Sequence, residues 1–261
     1  MNSMKILVLA GTEEARILCH KLSEIKGIEV IVSLFQKILS SDYPGQIISG
    51  GFGGVDGLAN YLQNERIGLL IDATHPYSST INSNAMAASR KTGTEYIRLA
   101  RKKWVAGPGD NWLEFPTLLQ TCQKIPSNSR IFAALGGKNL GRDIEEIGNS
   151  LAQSWVYLRV MEHPSFQLPP NWIMLEYTPP ITFEGEKALL MKYGITHILC
   201  RNSGGEISKL KLKAGAELGL DVFMLARPYN SEGDRNFKIF STVEELLKSR
   251  FKMGNYLFDP N

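Results

Sequence analysis

The sequence predicts an α/β protein built of two tandem Rossmann-like domains with mostly parallel sheets, and three observations carry that expectation. Short unbroken apolar runs, such as "KILVLA" at residues 5–10, suit strands buried on both faces. Each run is followed by a segment whose apolar residues recur at helical spacing, as in "EEARILCHKLSEI". The alternation occurs in two series separated by the Gly- and Pro-rich stretch "WVAGPGDNW".

In chain order, "KILVLA" is a strand, Gly11 a turn and the following segment a helix. "EVIVSLF" and "QIIS" are strands, and "VDGLANYLQNE" is a helix. "GLLIDA" is a strand and "SSTINSNAMAASRKTG" a helix stopped by Gly93; "YIRLA" closes the first series. After a connecting helix at "TLLQTCQKI", the second series runs "RIFAAL", "GGKNLGRDIEEI", "SWVYLRVM", "WIMLEY", "EGEKALLMKYG", "HILCR", "EISKLKLKAGAELG" and "DVFMLARP". A final helix starts at "STVEELL", where Ser241 and Glu244 have capping-box spacing. The boundary is placed between Arg101 and Ser129, where the chain changes character, giving domains 1–113 and 114–261.

Composition narrows the function classes. With 43% hydrophobic residues, 21% charged residues and a net charge of +3 over 261 residues, the chain reads as an ordinary soluble protein with no strongly basic face for nucleic acid. No apolar run reaches the roughly 20 residues that span a bilayer, and the start lacks a signal-peptide pattern, so a cytoplasmic protein, monomer or weak dimer, is expected. Cys19, Cys122 and Cys200 are widely spaced and form no C-x-x-C pair, which argues against a disulfide framework or a metal site.

Ligands on open parallel sheets bind beyond the carboxyl ends of the strands, so the residues that follow each strand are the informative ones. Gly11 and Thr12 open a helix whose N–H groups favour a phosphate, although Glu13 and Glu14 crowd its first turn with negative charge. In "GGFGG" (residues 50–54) the glycines let a flat or charged ligand approach the backbone, and Phe52 offers either a face to it or a plug to the core. "DATHPYSS" places Thr74, His75 and Ser78 after a strand, where hydroxyls and an imidazole can meet a ligand or supply a proton. In the second series, "GGKN" and "RNSGG" combine fixed positive charge with glycine turns suited to carboxylates. No G-K-[ST] P-loop, G-x-S-x-G elbow or H-E-x-x-H helix occurs, nor does any tyrosine have a lysine four residues on. Chemistry through a dedicated nucleophile or metal is therefore poorly supported.

Together, "AGTEEAR", "GGFGGVDGLANYL", "IDATHPYSSTINSNA", "RLARKKW" and "RNSGG" before "KLKLKAGAELGL" resemble the precorrin-6A and cobalt-precorrin-6A reductases of cobalamin biosynthesis, over residues 4–228. The resemblance implies an enzyme that reduces one double bond of a tetrapyrrole with NADPH or NADH. It implies that Gly11, Thr12, Ser33, Gly51, Phe52, Gly53, Thr74 and His75 line the cofactor, with His75 or an ordered water as the proton donor. It further implies that the many carboxylates of the macrocycle meet Lys138, Arg201, Asn202, Ser203, Gly204, Gly205 and Lys209, with Arg98 and Arg101 as secondary candidates. The chain departs from the family in "SLFQKI", where Lys37 stands in place of an expected arginine and could meet a 2′-phosphate, and at Glu13, where a neutral hydroxyl is usual. Two other readings stay open: a different nicotinamide-dependent reductase of an acidic substrate, and a nucleotide-sensing module without catalysis.

Overall fold

The computed structural model describes residues 3–35, 43–136, 140–160, 163, 166–176, 181–228 and 237–252. The chain forms two compact units, Met1–Lys102 joined by Pro228–Asn261, and Lys103–Arg227. The first contributes β1 (Met4–Leu9), α1 (Glu13–Ser23), β2 (Ile28–Leu34), β3 (Gln46–Ser49), α2 (Gly54–Asn64), β4 (Leu69–Asp72), α3 (Ser79–Thr92) and β5 (Glu95–Leu99). The second holds β6 (Trp112–Phe115), α4 (Leu118–Gln123), β7 (Arg130–Ala134), α5 (Ile144–Ser150), β8 (Trp155–Val160), β9 (Trp172–Glu176), α6 (Phe183–Lys192), β10 (His197–Arg201), α7 (Glu206–Glu217) and β11 (Asp221–Leu225). The chain then returns to the first unit with β12 (Lys238–Phe240) and α8 (Val243–Phe251).

Each unit has a six-stranded, all-parallel sheet, in the orders β12-β5-β4-β1-β2-β3 and β6-β11-β10-β7-β8-β9. Both orders reverse direction once, between β1 and β4 and between β7 and β10, and such a switch point opens a crevice at the carboxyl ends of the two strands. Side chains alternate across each strand, which is why continuous apolar runs were needed. Ile6 and Val8 pack on one face of the first sheet with Leu18 of α1 and Leu246 of α8; Leu7 and Leu9 pack on the other with Leu58 of α2 and Ala85 of α3. The second sheet repeats the scheme, with Ile131 and Ala133 facing Cys122 of α4 and Ile147 of α5, and Phe132 facing the layer that includes Leu190 of α6 and Leu212 of α7.

Three expectations from the sequence are corrected. The boundary at 113/114 falls inside β6, a strand of the second sheet, and the C-terminal segment belongs to the first unit because β12 pairs with β5. Neither β6 nor β12 has an apolar run to announce it; each is a short edge strand that exists through its pairing. The cap of α8 is Thr242 rather than Ser241: the extended Thr242 accepts from the Glu245 N–H at 3.1 Å, while the Glu245 carboxylate accepts from the Ser241 N–H at 3.0 Å.

The cysteines are core residues. Burial raises the thiols of Cys19 and Cys122 to about 12 and that of Cys200 to about 11. At mildly alkaline pH the native protein is therefore expected to leave a disulfide-exchange reagent such as DTNB unconsumed, and to titrate all three thiols once denatured. Rapid reaction of the folded chain would contradict this burial.

Candidate functional site

At the switch point of the first unit, the loops after β1 and β4 are tied to each other. Gly11 (φ +122°) turns the chain out of β1, and Thr12 caps α1, its hydroxyl accepting from the Ala15 N–H at 3.2 Å and donating to the Ala73 carbonyl at 2.8 Å. The Ala10 N–H donates to the Ser33 carbonyl and the Ala73 N–H to the Leu9 carbonyl, both at 2.9 Å, so the ends of β2, β1 and β4 are in register. Ser33 itself is buried. Glu13 pairs with Arg16 within α1, and Glu14 with Arg101 at 2.7 Å, so the acidic first turn has cationic partners.

The residues leading to His75 belong to a buried polar network. The Asp72 carboxylate, 0% exposed, pairs with the Arg98 guanidinium, 1% exposed, directly across the β4–β5 ladder. It accepts from the Thr74 N–H at 3.1 Å, the Thr74 hydroxyl at 2.7 Å, the Asn82 amide at 2.8 Å and the Tyr96 hydroxyl at 3.0 Å. Burial and the neighbouring Asp72 charge push the Tyr96 phenol above its ordinary value, so it remains a donor. Thr74 thus directs its hydroxyl inward, and Arg98 serves the fold. His75 follows at once, half-buried, its Nδ1 accepting from the Tyr77 N–H at 3.3 Å, which leaves the ring proton of the neutral imidazole on Nε2.

The glycine loop between β3 and α2 is shaped by backbone geometry and close approach. Gly50, Gly53 and Gly54 have φ of +103°, +79° and +89°, and a Cβ on Gly57 would stand 1.6 Å from the Phe52 carbonyl oxygen. Gly51 has neither a positive φ nor any atom within 4 Å of a built Cβ, so nothing in the protein itself calls for glycine there. The Phe52 ring is half-buried and meets Tyr61 edge-on at 5.2 Å, packed against the layer between the sheet and α2. Lys37 lies outside the described residues.

In the second unit, Gly136 (φ +71°) follows β7 and lies near Arg201 at the end of β10, whose guanidinium Nη1 is 3.9 Å from the place a Cβ would take. Ser203 is buried, Gly204 has φ +79°, Gly205 starts α7, and Lys209 sits half-buried in its first turns. Asn202 faces inward: its amide accepts from the Trp104 N–H at 2.7 Å and donates to the Trp104 carbonyl at 3.0 Å and to Glu114 at 3.2 Å. Lys138 lies outside the described residues. The glycine starts of α2 and α7 carry no side-chain cap, whereas α1, α4, α6 and α8 are each capped by a threonine hydroxyl.

Sequence reasoning missed Tyr96, Asn82 and the buried Lys211, whose ammonium lies 5.1 Å from the centre of the Trp104 ring and which burial pulls below its ordinary pKa. The available signal was a charge in each of two adjacent buried strands, Asp72 in "LLID" and Arg98 in "YIRL". Among the described residues no group of three metal-ligating side chains gathers, and no helix is long and apolar enough to cross a membrane.

A family model described as precorrin-6x reductase CbiJ/CobK matches residues 5–250. Precorrin-6A reductases from Rhodobacter capsulatus and Rhodococcus erythropolis are 35% and 32% identical to the chain; each alignment covers 86% of this chain, and 88% and 89% of the relative respectively. A cobalt-precorrin-6A reductase from Methanothermobacter thermautotrophicus is 26% identical over 97% of this chain and 87% of its own. A solved structure of CobK precorrin-6A reductase superposes with a TM-score of 0.84 and 31% identity, covering 95% of this chain and 96% of that one.

Removing Arg98 strands the Asp72 carboxylate in the core. Arg98→Ala is expected to lower unfolding stability by about 3–5 kcal/mol in a urea titration, with a change under about 1 kcal/mol arguing that the pair is solvated.

Proposed function

The chain belongs to the precorrin-6x reductase family, and from that premise we propose that it transfers a hydride from a reduced nicotinamide dinucleotide to one double bond of precorrin-6A, in cobalamin biosynthesis in the cytoplasm. The observation that carries this reading is the match over most of the chain, and most of their own length, to relatives bearing that activity in their names.

The first unit fits the cofactor. Gly11, Gly50, Gly51, Gly53 and Gly54 leave open space where side chains would stand, and the N-termini of α1 and α2 present N–H groups to a pyrophosphate. When bound, the nicotinamide supplies the hydride. The protein's part is orientation and exclusion of water, which needs neither nucleophile nor metal. Thr12 and Thr74 act by holding the β1 and β4 loops, while His75 lines the ligand edge and, as the imidazolium, gives a proton to the carbon next to the hydride acceptor and returns to the neutral ring. Hydride and proton together saturate one C=C bond of the ring. The end of β2 holds Ser33 and Leu34 with no acid to take a ribose 2′-hydroxyl, which supports NADPH over NADH.

The second unit fits the carboxylates of the macrocycle. Arg201, the Gly204–Gly205 turn with the uncapped start of α7, and Lys209 supply the charge and N–H donors; Lys138 joins them by its place in the sequence. Asn202 supports this set by fixing the Trp104 segment. The identities of 32–35% with precorrin-6A reductases, against 26% with the cobalt-precorrin relative named above, favour the metal-free ring.

Following nicotinamide absorbance with NADPH or NADH, and precorrin-6A with or without cobalt, tests the reading. NADPH oxidation driven by precorrin-6A is expected; cofactor binding without turnover on either ring would replace the reductase by a sensor. His75→Ala should lose about 100-fold or more in kcat, and near-normal turnover would hand the proton to an ordered water.

A further inference from the structure

The last described residue after β2 is Phe35. Val30 to Leu34 are all buried, yet the Phe35 side chain is 81% exposed, the highest value of any large hydrophobic residue described. Its place is not a random surface. The carbonyl of the preceding Leu34 accepts the Gly50 N–H at 3.0 Å, which ties the end of β2 to the start of the glycine loop. One strand over on the other side, the Ser33 carbonyl holds Ala10, the residue before the Gly11 turn. Phe35 therefore follows directly on a strand end that lies, in the sheet order, between the strands leading into the Gly11 and Gly50 turns. Phe52, the other aromatic of this edge, already packs against Tyr61.

The strand order assigns the two halves of a dinucleotide. With a pyrophosphate over the start of α1 at the switch point, one half of a dinucleotide would lie toward β4 and the other toward β2 and β3. His75 follows β4, so the nicotinamide half belongs there and the adenosine half belongs on the β2 side. We propose that Phe35 is the stacking platform for the adenine ring and so sets the affinity for the adenosine half of the cofactor. This rests on the nicotinamide reading above. A flat heteroaromatic ring is the ligand group that covers an exposed phenyl face without needing hydrogen bonds from it, and the glycine turns on either side leave room for its edges.

Calorimetric titration of wild type, Phe35→Ala and Phe35→Trp with NADPH and with reduced nicotinamide mononucleotide, which lacks the adenosine half, separates the possibilities. Phe35→Ala is expected to weaken NADPH roughly tenfold, Phe35→Trp to keep the affinity within about twofold of wild type, and the mononucleotide to bind both variants as it binds wild type. Equal NADPH affinity in wild type and Phe35→Ala, or an equal loss for the mononucleotide, overturns the stacking role while leaving the cofactor reading intact. A wild-type chain that binds neither NADPH nor NADH overturns that reading itself.

Discussion

A carboxylate without solvent, Asp72, shapes the end of β4 and with it the loop that carries His75. Five donors meet that charge: Arg98, Tyr96, Asn82, and both the N–H and the hydroxyl of Thr74. A buried ion pair gains little net stability, since desolvation offsets its attraction, but it tolerates few alternative geometries. Its effect is to fix where the chain goes after β4. Asp72 and Arg98 are direct partners in a parallel ladder, and Tyr96 lies two residues back on the same face, so sheet register alone brings the three together. The Thr12 hydroxyl then passes this fixed position on to the β1 loop through the Ala73 carbonyl.

Helix caps divide labour along similar lines. Where a threonine caps a helix, its hydroxyl satisfies an N–H group that would otherwise seek water or a ligand. Where glycine stands at that position, at Gly53 and Gly205, no side chain does so; positive φ occurs at Gly50, Gly53 and Gly54 in the first of these turns and at Gly204 in the second. The cap of α1 takes only the Ala15 N–H, so the other N–H groups of its first turn stay available to an anion. Bare ends suit anions such as the pyrophosphate and carboxylates of the proposed ligands.

Both sheets complete the same order with a short edge strand at one end. The second unit takes β6 from just before its first central strand, and the first takes β12 from the far end of the chain. Each added strand covers an edge that would otherwise expose unpaired backbone groups. Since β5 gains its β12 neighbour only after the second unit has been made, the first sheet is incomplete until late in synthesis.

The sequence by itself determined the α/β class, the central strands and helices, and the turns in which ligand-facing residues had to be sought. Those features are written in local periodicity and in glycine, which act over a few residues. It also held the family likeness, through "GGFGG" and "DATHP". Only the tertiary structure decided that β6 and β12 are strands, that the unit boundary follows Lys102, that Arg98 and the Thr74 hydroxyl turn inward, and that Asn202 holds Trp104 across 98 residues of chain. Each of these depends on a partner distant in sequence, and a buried polar side chain looks the same as an exposed one until the group that satisfies it is in place.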